Sequence, residues 1–274
     1  MTIIKSLATN NPCYKAGRKI KVKGLMLHSV GCPQPSATVF FNQCNKASYS
    51  RACVHAFIDG NTGFVHQLLP WNYRGWHSGS GTKGSANNSH IGVEMCEPST
   101  IKYTSGSRFT CSDLDNAREV AIRTYNSAVE VFASLCKEYS LDPVAHGVII
   151  SHKEGYSKGI ASNHGDPDHL WKGLNLPYTM DTFRRDVKNA MYNTPISTPV
   201  TESADKSTTN NATIKVGSVV KVQPGAKTYT GGGLAKFVYN REHVVSNISG
   251  ERVVITYNGT IIAAVHKKDL ILVK

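Results

Sequence analysis

The chain has 274 residues, of which 40% are hydrophobic and 18% are charged, so it can form a substantial core and is not a disordered protein. No stretch approaches the roughly 18–20 apolar residues that span a bilayer. Lysine and arginine outnumber the acidic residues by 31 to 19, and the net charge of +12 indicates an acidic partner: nucleic acid, anionic lipid or an anionic wall polymer. No zinc-finger spacing, aromatic–basic RNA-binding signature or basic amphipathic helix accompanies this charge.

The N-terminus and the cysteines indicate the compartment. Residues 1–7 contain no apolar run of signal-peptide length, so we expect the chain to be made in the cytoplasm and to reach any external target by another route. The seven cysteines are an odd number, and no secretion signal accompanies them. We therefore expect reduced, partly buried thiols rather than a disulfide framework.

Short apolar runs alternate with helical patterns over residues 1–192. The apolar runs predict strands over residues 25–27, 56–58, 64–68, 91–95 and 148–150. The strands over 56–58 and 64–68 flank a turn, so they are predicted to form a hairpin. Helical spacing predicts helices over residues 36–46, 112–139 and 179–192, with Ser112 as the N-cap of the second. Interleaved strands and helices predict an α/β or α+β layer.

A change of composition divides the chain. Residues 193–213 read NTPISTPVTESADKSTTNNAT, with two prolines and hardly a large apolar residue, which is typical of a flexible linker. Residues 214–274 carry nine basic and three acidic residues, a net charge of +6. Short β-branched runs separated by glycine-containing turns predict a small all-β barrel with strands over 219–222, 236–238, 243–245, 252–255 and 263–266.

Polar side chains with metal-binding or acid–base chemistry follow the predicted strands of the first domain. His28 follows the strand 25–27, His152 follows 148–150, and Glu94 lies at the end of its strand. Strand ends in an α/β sheet are where sites gather, so two imidazoles and a carboxylate there predict a zinc site or an acid–base site. Asp166 is a candidate third ligand, although an ordinary polar loop explains residues 162–169 equally well.

Other catalytic templates fit less well. The sequence has no His-Glu-x-x-His, and His152-Lys153-Glu154 lacks the Pro-Cys-x-x-Cys of a deaminase. Ser157 lies in a G-x-S-x-G match, but a nucleophile elbow needs a strand directly before the serine and a helix directly after it. The predicted strand over 148–150 ends several residues before Ser157, so we interpret this match as a chance occurrence in a glycine-rich chain.

Several separate motifs resemble one family. The chain resembles the zinc-dependent N-acetylmuramoyl-L-alanine amidases of the amidase-2 type, whose fold peptidoglycan recognition proteins share, in the segments Leu25-Met26-Leu27-His28-Ser29, Val54-His55-Ala56-Phe57-Ile58-Asp59, Gly75-Trp76-His77-Ser78-Gly79, Asn87-Asn88-Ser89-His90-Ile91-Gly92-Val93-Glu94 and Ile150-Ser151-His152. The run from Gly159 to Pro167 resembles the phage and clostridial branch. These motifs occur in the family's order over residues of about 20–170.

The resemblance implies a mixed central sheet flanked by helices, with zinc in a surface groove. Matched position by position, it implies His28, His152 and Asp166 as zinc ligands and Glu94 as the general base. His164 stands where many members have an oxyanion-stabilising lysine, and an imidazole there would carry a positive charge only at lower pH. Val54 stands where some members have a tyrosine, so Glu94 would carry more of the base role.

Trp76 and His77 resemble residues that pack on glycan or stem peptide, although Trp76 is equally well explained as a core anchor. The tail resembles bacterial SH3-like wall-binding modules of clostridial phage endolysins in residues 216–222 and 264–270. The predicted organisation is a catalytic domain over 1–192, a linker over 193–213 and a wall-binding domain over 214–274.

The function that the resemblance implies is that of an endolysin, which cleaves the amide bond between N-acetylmuramic acid and L-alanine with Zn²⁺ as cofactor. Its partners would be peptidoglycan and anionic wall polymers, without nucleic acid binding or membrane insertion. The absence of a signal fits release to the wall through a phage pore. The alternatives are a host autolysin of the same activity, a non-catalytic peptidoglycan-binding protein and, less favoured, a serine hydrolase that uses Ser157.

Overall fold

The structure is a computed structural model that describes residues 2–50, 52–192, 214–234, 236–239, 241–257 and 260–273. The chain divides into two compact units between Val200 and Thr201. This division falls within the predicted linker 193–213, which lies outside the described residues. The domain bounds 1–192 and 214–274 stay predictions, and the two units are described separately.

Among its described residues, the first unit contains a six-stranded sheet, a separate two-stranded hairpin and six α-helices. Its strands are Ile3–Lys5 (β1), Gly24–Ser29 (β2), Ala56–Ile58 (β3), Val65–Gln67 (β4), His90–Met95 (β5), Ile101–Ser105 (β6), Arg108–Cys111 (β7) and Ile149–Ser151 (β8). Its helices are Pro12–Ala16 (α1), Ala37–Cys44 (α2), Leu114–Glu138 (α3), His152–Ser157 (α4), Asp168–Gly173 (α5) and Met180–Met191 (α6). The sheet has the order β1-β4-β3-β5-β2-β8, and β6 and β7 form a separate hairpin.

The sheet is mixed, as the family resemblance implied. Strand β2 runs parallel to both β5 and β8, β3 runs parallel to β5, and β3 and β4 form the predicted antiparallel hairpin. All five strands predicted for this domain are present. The carboxyl ends of β2, β5 and β8 therefore lie side by side at one edge of the sheet, which is where a site forms in such folds.

The alternation of side chains along β2 separates the core from the site. Leu25 and Leu27 pack in the main core with Tyr125 and Phe132 of α3. Met26 packs in a different cluster, which contains Ile150. Because successive side chains of a strand point to opposite faces, His28 shares the face of Met26 rather than that of the main core.

Helix α3 begins one residue later than predicted. Its N-cap is Asp113, whose Oδ1 accepts a hydrogen bond from the Asn116 amide at 3.0 Å. Ser112, the predicted N-cap, instead donates its hydroxyl to the Thr100 carbonyl at 3.1 Å. Serine and aspartate both favour N-caps, so the residue types alone did not distinguish Ser112 from Asp113 as the cap. The hydrogen bond from Ser112 to the Thr100 carbonyl decided between them.

The sequence analysis missed the shorter elements of this unit: β1, α1, α4, α5 and the β6–β7 hairpin. In the hairpin, the side chains of β6 are mostly exposed and only Ile101 is buried, so the apolar alternation that marks a half-buried strand is weak. Its register is Ile101 opposite Cys111 and Tyr103 opposite Phe109.

The second unit is a five-stranded antiparallel sheet around its own apolar core, in the order β12-β11-β10-β9-β13. The strands are Val219–Val222 (β9), Glu242–Ser249 (β10), Arg252–Tyr257 (β11), Thr260–His266 (β12) and Leu270–Leu272 (β13), and one short helix is Lys236–Tyr239 (α7). Among the described residues, the two edge strands do not pair with each other, so the ladder of this unit is an open sheet there. The SH3-like assignment remains a proposal.

The strand predicted over 236–238 is wrong, because this segment forms helix α7. Three residues are too few to distinguish a strand from a helical turn by periodicity. The Tyr239 hydroxyl donates to the Ala226 carbonyl at 2.6 Å and ties the end of this turn to the preceding loop. The structure also adds β13, which pairs with β9 and was not predicted.

No helix among the described residues combines the length and the apolar character needed to cross a membrane.

Candidate metal centre and catalytic cleft

The functional residues predicted from the sequence meet at the carboxyl ends of the parallel strands. His28 lies near the end of β2 directly opposite Glu94 of β5 in the strand register. His152 is the first residue of α4 and follows β8, whose Ser151 caps this helix. All three residues line a cleft of about 720 Å³, together with Asp166.

The two histidines and Asp166 form a compact ligand set. One ligand atom from each of His28, His152 and Asp166 lies within 4.8 Å of the others. The His28 Nδ1 atom lies 3.1 Å from Asp166 Oδ2 and 3.1 Å from His152 Nδ1, and His152 Nδ1 lies 3.7 Å from Asp166 Oδ1. Two imidazoles and one carboxylate with an accessible face are the donor set of a catalytic zinc site, so the residues present fit this metal.

His77 holds His28 in one tautomer. His77 Nε2 donates to the His90 carbonyl at 3.1 Å, so its Nδ1 is the acceptor for His28 Nε2–H at 3.0 Å. This arrangement leaves His28 Nδ1, the atom that faces His152 and Asp166, as the ligand atom. The sequence analysis predicted His77 as a substrate contact. It does line the cleft, but both ring nitrogens are bonded within the protein.

Burial sets the protonation states of the cleft. Burial raises the pKa of Glu94 to about 8, although the neighbouring His28 opposes this shift. Glu94 Oε2 is buried without a hydrogen-bond partner among the described residues. Burial lowers the pKa of His152 to about 4, so its imidazole is neutral near pH 7, as a metal ligand must be.

The charges of His28 and Asp166 are mutually stabilised. Burial opposes protonation of His28, but the carboxyl groups of Glu94 and Asp166 outweigh this effect and raise its pKa. Burial likewise opposes ionisation of Asp166, but its hydrogen bond to His28 and the charge of that ring lower its pKa. A cation in the cleft would therefore meet an ionised Asp166.

Ser162 connects two residues of the cleft. Its hydroxyl lies 3.2 Å from His152 Nε2 and 3.1 Å from His164 Nδ1. His164 is exposed at the cleft, and its ring centroid lies 4.4 Å from that of His152. Ser162 lies in the polar run 162–169, but no sequence signal marked it as a site residue.

Trp76 lies at the cleft with its side chain 45% exposed. This exposure removes the alternative of a core anchor, since a core tryptophan is mostly buried, as Trp171 is. The backbone of Trp76 pairs with Cys53 in an isolated antiparallel bridge, which fixes the indole at this wall. A role of Trp76 in substrate binding stays a prediction.

One wall of the cleft was missed by the sequence analysis. The β6–β7 hairpin contributes Tyr103, Gly106 and Ser107 to the cleft, and His169 of α5 lines it from the side of Asp166. Tyr103 and His169 are joined by a hydrogen bond of 2.6 Å. The only sequence signal was the high density of polar side chains over residues 162–169.

The remaining candidates have structural surroundings. The Ser157 hydroxyl donates to the Lys153 carbonyl at 3.2 Å, and Ser157 ends helix α4 rather than following a strand. This geometry does not fit a nucleophile elbow. The seven cysteines are unpaired thiols, four buried and three partly buried, as predicted.

The fold and the site together define a class: a mixed α/β protein with a His-His-Asp group at the carboxyl ends of its parallel strands. The model of the N-acetylmuramoyl-L-alanine amidase family matches residues 18–169, which include every residue of the ligand set and Glu94. The chain therefore belongs to the N-acetylmuramoyl-L-alanine amidase family.

Two curated relatives have the same description. N-acetylmuramoyl-L-alanine amidase CwlH of Bacillus subtilis (strain 168) is 48% identical over 126 residues, which cover 45% of this chain and 46% of CwlH. N-acetylmuramoyl-L-alanine amidase CwlA of Bacillus sp is 28% identical over 145 residues, or 48% of this chain and 49% of CwlA. The chain thus spans about half the length of the curated relatives it matches.

A solved structure supports the fold. Staphylococcus aureus hydrolase AmiA, determined in complex with its ligand, superposes with a TM-score of 0.50 at 21% identity. The superposition covers 70% of this chain and 83% of the AmiA chain. This likeness shows that the two chains share a fold.

Proposed function

We propose that the protein is a zinc-dependent peptidoglycan hydrolase that cleaves the amide bond between the lactyl group of N-acetylmuramic acid and L-alanine of the stem peptide. The observation that carries the proposal is the His28, His152 and Asp166 group within 4.8 Å, at the base of an open cleft in a chain of this family.

The ligand set and Glu94 divide the chemistry between them. His28, His152 and Asp166 would hold zinc, and the bound ion would polarise the amide carbonyl and lower the pKa of water to about 7. Glu94 faces the same cleft as a general base that takes a proton from the attacking water and returns it to the leaving amine of L-alanine. A nearby cation favours the carboxylate form of this buried acid.

His164 is proposed to donate a hydrogen bond to the developing oxyanion. Its imidazole is exposed at the cleft, and its Nδ1 faces Ser162, which leaves Nε2 for substrate. Trp76 is proposed to pack on the glycan or stem peptide, because its exposed indole offers an apolar face at the cleft.

The products of wall digestion test this function. Purified peptidoglycan treated with the zinc-loaded chain should release new L-alanine amino termini, detected by mass spectrometry, without new reducing sugar ends. Chelation should abolish the reaction and added zinc should restore it. New reducing ends in place of alanine termini would contradict the amidase proposal.

A matched variant tests the base. Glu94→Gln keeps the side-chain shape, so we expect it to bind zinc as the parent does while kcat falls by about 10²–10⁴-fold. Wall lysis at the parental rate would refute the base role of Glu94. Zinc binding and wall binding without any hydrolysis by the parent would support the alternative of a non-catalytic peptidoglycan-binding protein.

The second unit is proposed to be an SH3-like module that binds peptidoglycan and anionic wall polymers. A groove of about 400 Å³ in this unit is lined by Tyr229, His266, Lys227 and Lys268, with Asp269 also in the lining, and the rings of Tyr229 and His266 lie 4.4 Å apart at a tilt of 37°. An aromatic face beside two cationic side chains suits a polar, anionic polymer rather than an apolar ligand.

The protein is further proposed to be an endolysin made in the bacterial cytoplasm, with a host autolysin as the alternative. The run from Gly159 to Pro167, which resembles the phage branch, supports the endolysin assignment. Expression inside a susceptible bacterium should leave cells intact until a membrane pore is opened. Lysis without a pore would favour an exported autolysin.

A further inference from the structure

The β6–β7 hairpin packs along the segment that carries Asp166, which we call the ligand segment (residues 165–173). A Cβ at Gly165 would lie 2.8 Å from Ser107 Oγ, and a Cβ at Gly173 would overlap the Phe109 ring. The hairpin therefore touches both ends of the segment. A side chain at position 173 would have to displace the Phe109 ring, whereas rotation of the Ser107 hydroxyl would relieve the contact at position 165.

A hydrogen-bonded cluster lies between these two contacts. The Tyr103 hydroxyl donates to Glu97 Oε2 at 2.7 Å and lies 2.6 Å from His169 Nε2. Glu97 is fully buried, and its Oε1 accepts from the Gly31 amide at 3.1 Å. The three hairpin contacts fall on residues 165, 169 and 173, of which 169 and 173 lie one turn apart in helix α5 and 165 lies before the helix begins.

The Tyr103 hydroxyl is the centre of this cluster, because it both donates and accepts a hydrogen bond. A phenol has one proton, which goes to the carboxylate of Glu97, so the phenol oxygen accepts from His169 Nε2–H. The same hydroxyl thus links the chain after β5, the hairpin and the ligand segment. Glu97 is buried and the other two residues of the cluster are half-buried, so loss of this hydroxyl leaves polar groups without their partner, and the segments it joins can shift.

We propose that Tyr103 is a positioning residue of the metal centre, whose hydroxyl holds the ligand segment so that Asp166 stays within reach of His28 and His152. His169 lies three residues after Asp166 and is the side chain through which this restraint acts. The inference rests on the proposed function in one respect, namely that Asp166 is a zinc ligand.

The chain contains a matched control for this role. The Tyr125 hydroxyl donates to Asp186 Oδ2 at 2.7 Å, and both residues of this pair are buried. It joins α3 to α6 and lines no part of the cleft. Removal of either hydroxyl deletes a tyrosine–carboxylate hydrogen bond, but only Tyr103→Phe releases the ligand segment.

The experiment measures zinc affinity of the full chain by competition with a chromophoric chelator for the parent, Tyr103→Phe and Tyr125→Phe. Loss of a partner in the outer shell of a metal site costs about 10–100-fold in affinity, and Tyr103 acts through His169, so we expect about tenfold weaker zinc binding. Tyr125→Phe should keep the parental zinc affinity, while thermal unfolding reports that both variants are folded.

A second variant guards against an effect peculiar to phenylalanine. Glu97→Gln keeps the size of the side chain but removes the charged acceptor of Tyr103, and should weaken zinc binding in the same direction. Parental zinc affinity in Tyr103→Phe, or an equal loss in Tyr125→Phe, would overturn the positioning role. Failure of the parent to bind zinc would instead overturn the proposed function and remove the premise of this inference.

Discussion

At the scale of single residues, the site depends on side chains that fix the orientation of the ligands. His77 accepts from His28 Nε2–H, and its own position depends on Gly92, where a Cβ would lie 2.5 Å from His77 Cγ. Burial lowers the pKa of His77 well below its ordinary value, so the ring stays neutral and can accept this hydrogen bond. His77 thus decides which nitrogen of His28 faces His152 and Asp166, and so which one the proposed zinc would meet.

Replacement of His77 should weaken zinc binding. His77→Phe keeps a ring of similar width but removes the acceptor, so we expect zinc affinity to fall by about 10–100-fold, measured by chelator competition. His66→Phe, on β4 and outside the cleft lining, is the control and should keep the parental affinity. Equal affinity of His77→Phe and the parent would mean that the hydrogen bond does not orient His28.

Glu97 should make stability depend on pH. Burial raises its pKa to about 7, so the folded state holds this proton more tightly than the unfolded state. The stabilisation is present in full below the unfolded pKa of about 4.3 and is lost as the pH rises through about 7. Relative to Glu97→Gln, the parent's free energy of unfolding should fall on the order of 3 kcal/mol between about pH 4 and pH 8, measured by urea denaturation. A constant difference between the two proteins would contradict this assignment.

At the scale of elements, local hydrogen bonds decide where each element begins. The longest helix of the described chain, α3, covers the sheet, and α6 packs beside it, capped by reciprocal bonds between Thr179 and Thr182. The N-terminus of α3 is capped by Asp113 rather than by the adjacent Ser112. The difference matters energetically, because an N-cap satisfies an amide that the helix cannot.

The two candidate caps of α3 should differ in stability cost. Asp113→Ala should lower the free energy of unfolding by about 1 kcal/mol, because the Asn116 amide loses its acceptor. Ser112→Ala removes only an exposed hydrogen bond to Thr100 and should cost less, about 0.5 kcal/mol. Urea denaturation measures both values, and a larger cost for Ser112→Ala would reverse the cap assignment.

At the scale of the whole molecule, charge and chemistry are divided along the chain. Residues 214–274 hold a net charge of +6, half of the total, in about a fifth of the length, whereas the ligand set and cleft lie in the first unit. The proposed attraction between residues 214–274 and an anionic wall would be electrostatic, and salt at 0.1 M would screen it over about 10 Å.

Removal of the second unit should separate binding from hydrolysis. A chain that ends at Tyr192 should bind intact walls more weakly, yet hydrolyse small soluble wall fragments at the parental rate. Wall binding by the full chain, measured by co-sedimentation, should weaken as salt is raised from low to physiological concentration. Equal wall binding by the shortened chain would refute the anchor role, and binding insensitive to salt would refute its electrostatic origin.

Much of the first unit could be predicted from the sequence because its signals are local. Apolar runs of strands such as β2 and β5, and the 3.6-residue spacing of α3, depend only on neighbours in the chain. The cleft wall formed by the β6–β7 hairpin could not be predicted, because its strands are short and mostly exposed. The helix over 236–239 was mistaken for a strand for a related reason, since so short a segment takes its conformation from its tertiary contacts.

The sequence by itself determined the family resemblance, the mixed α/β class, and the identity of the residues at the strand ends, because strand periodicity and residue type are properties of the chain. Only the tertiary structure decided which nitrogen of His28 faces Asp166, that His77 orients it, and that Tyr103 joins Glu97 to His169. These relations join residues up to 138 positions apart, and they arise from packing and burial, which no local pattern records.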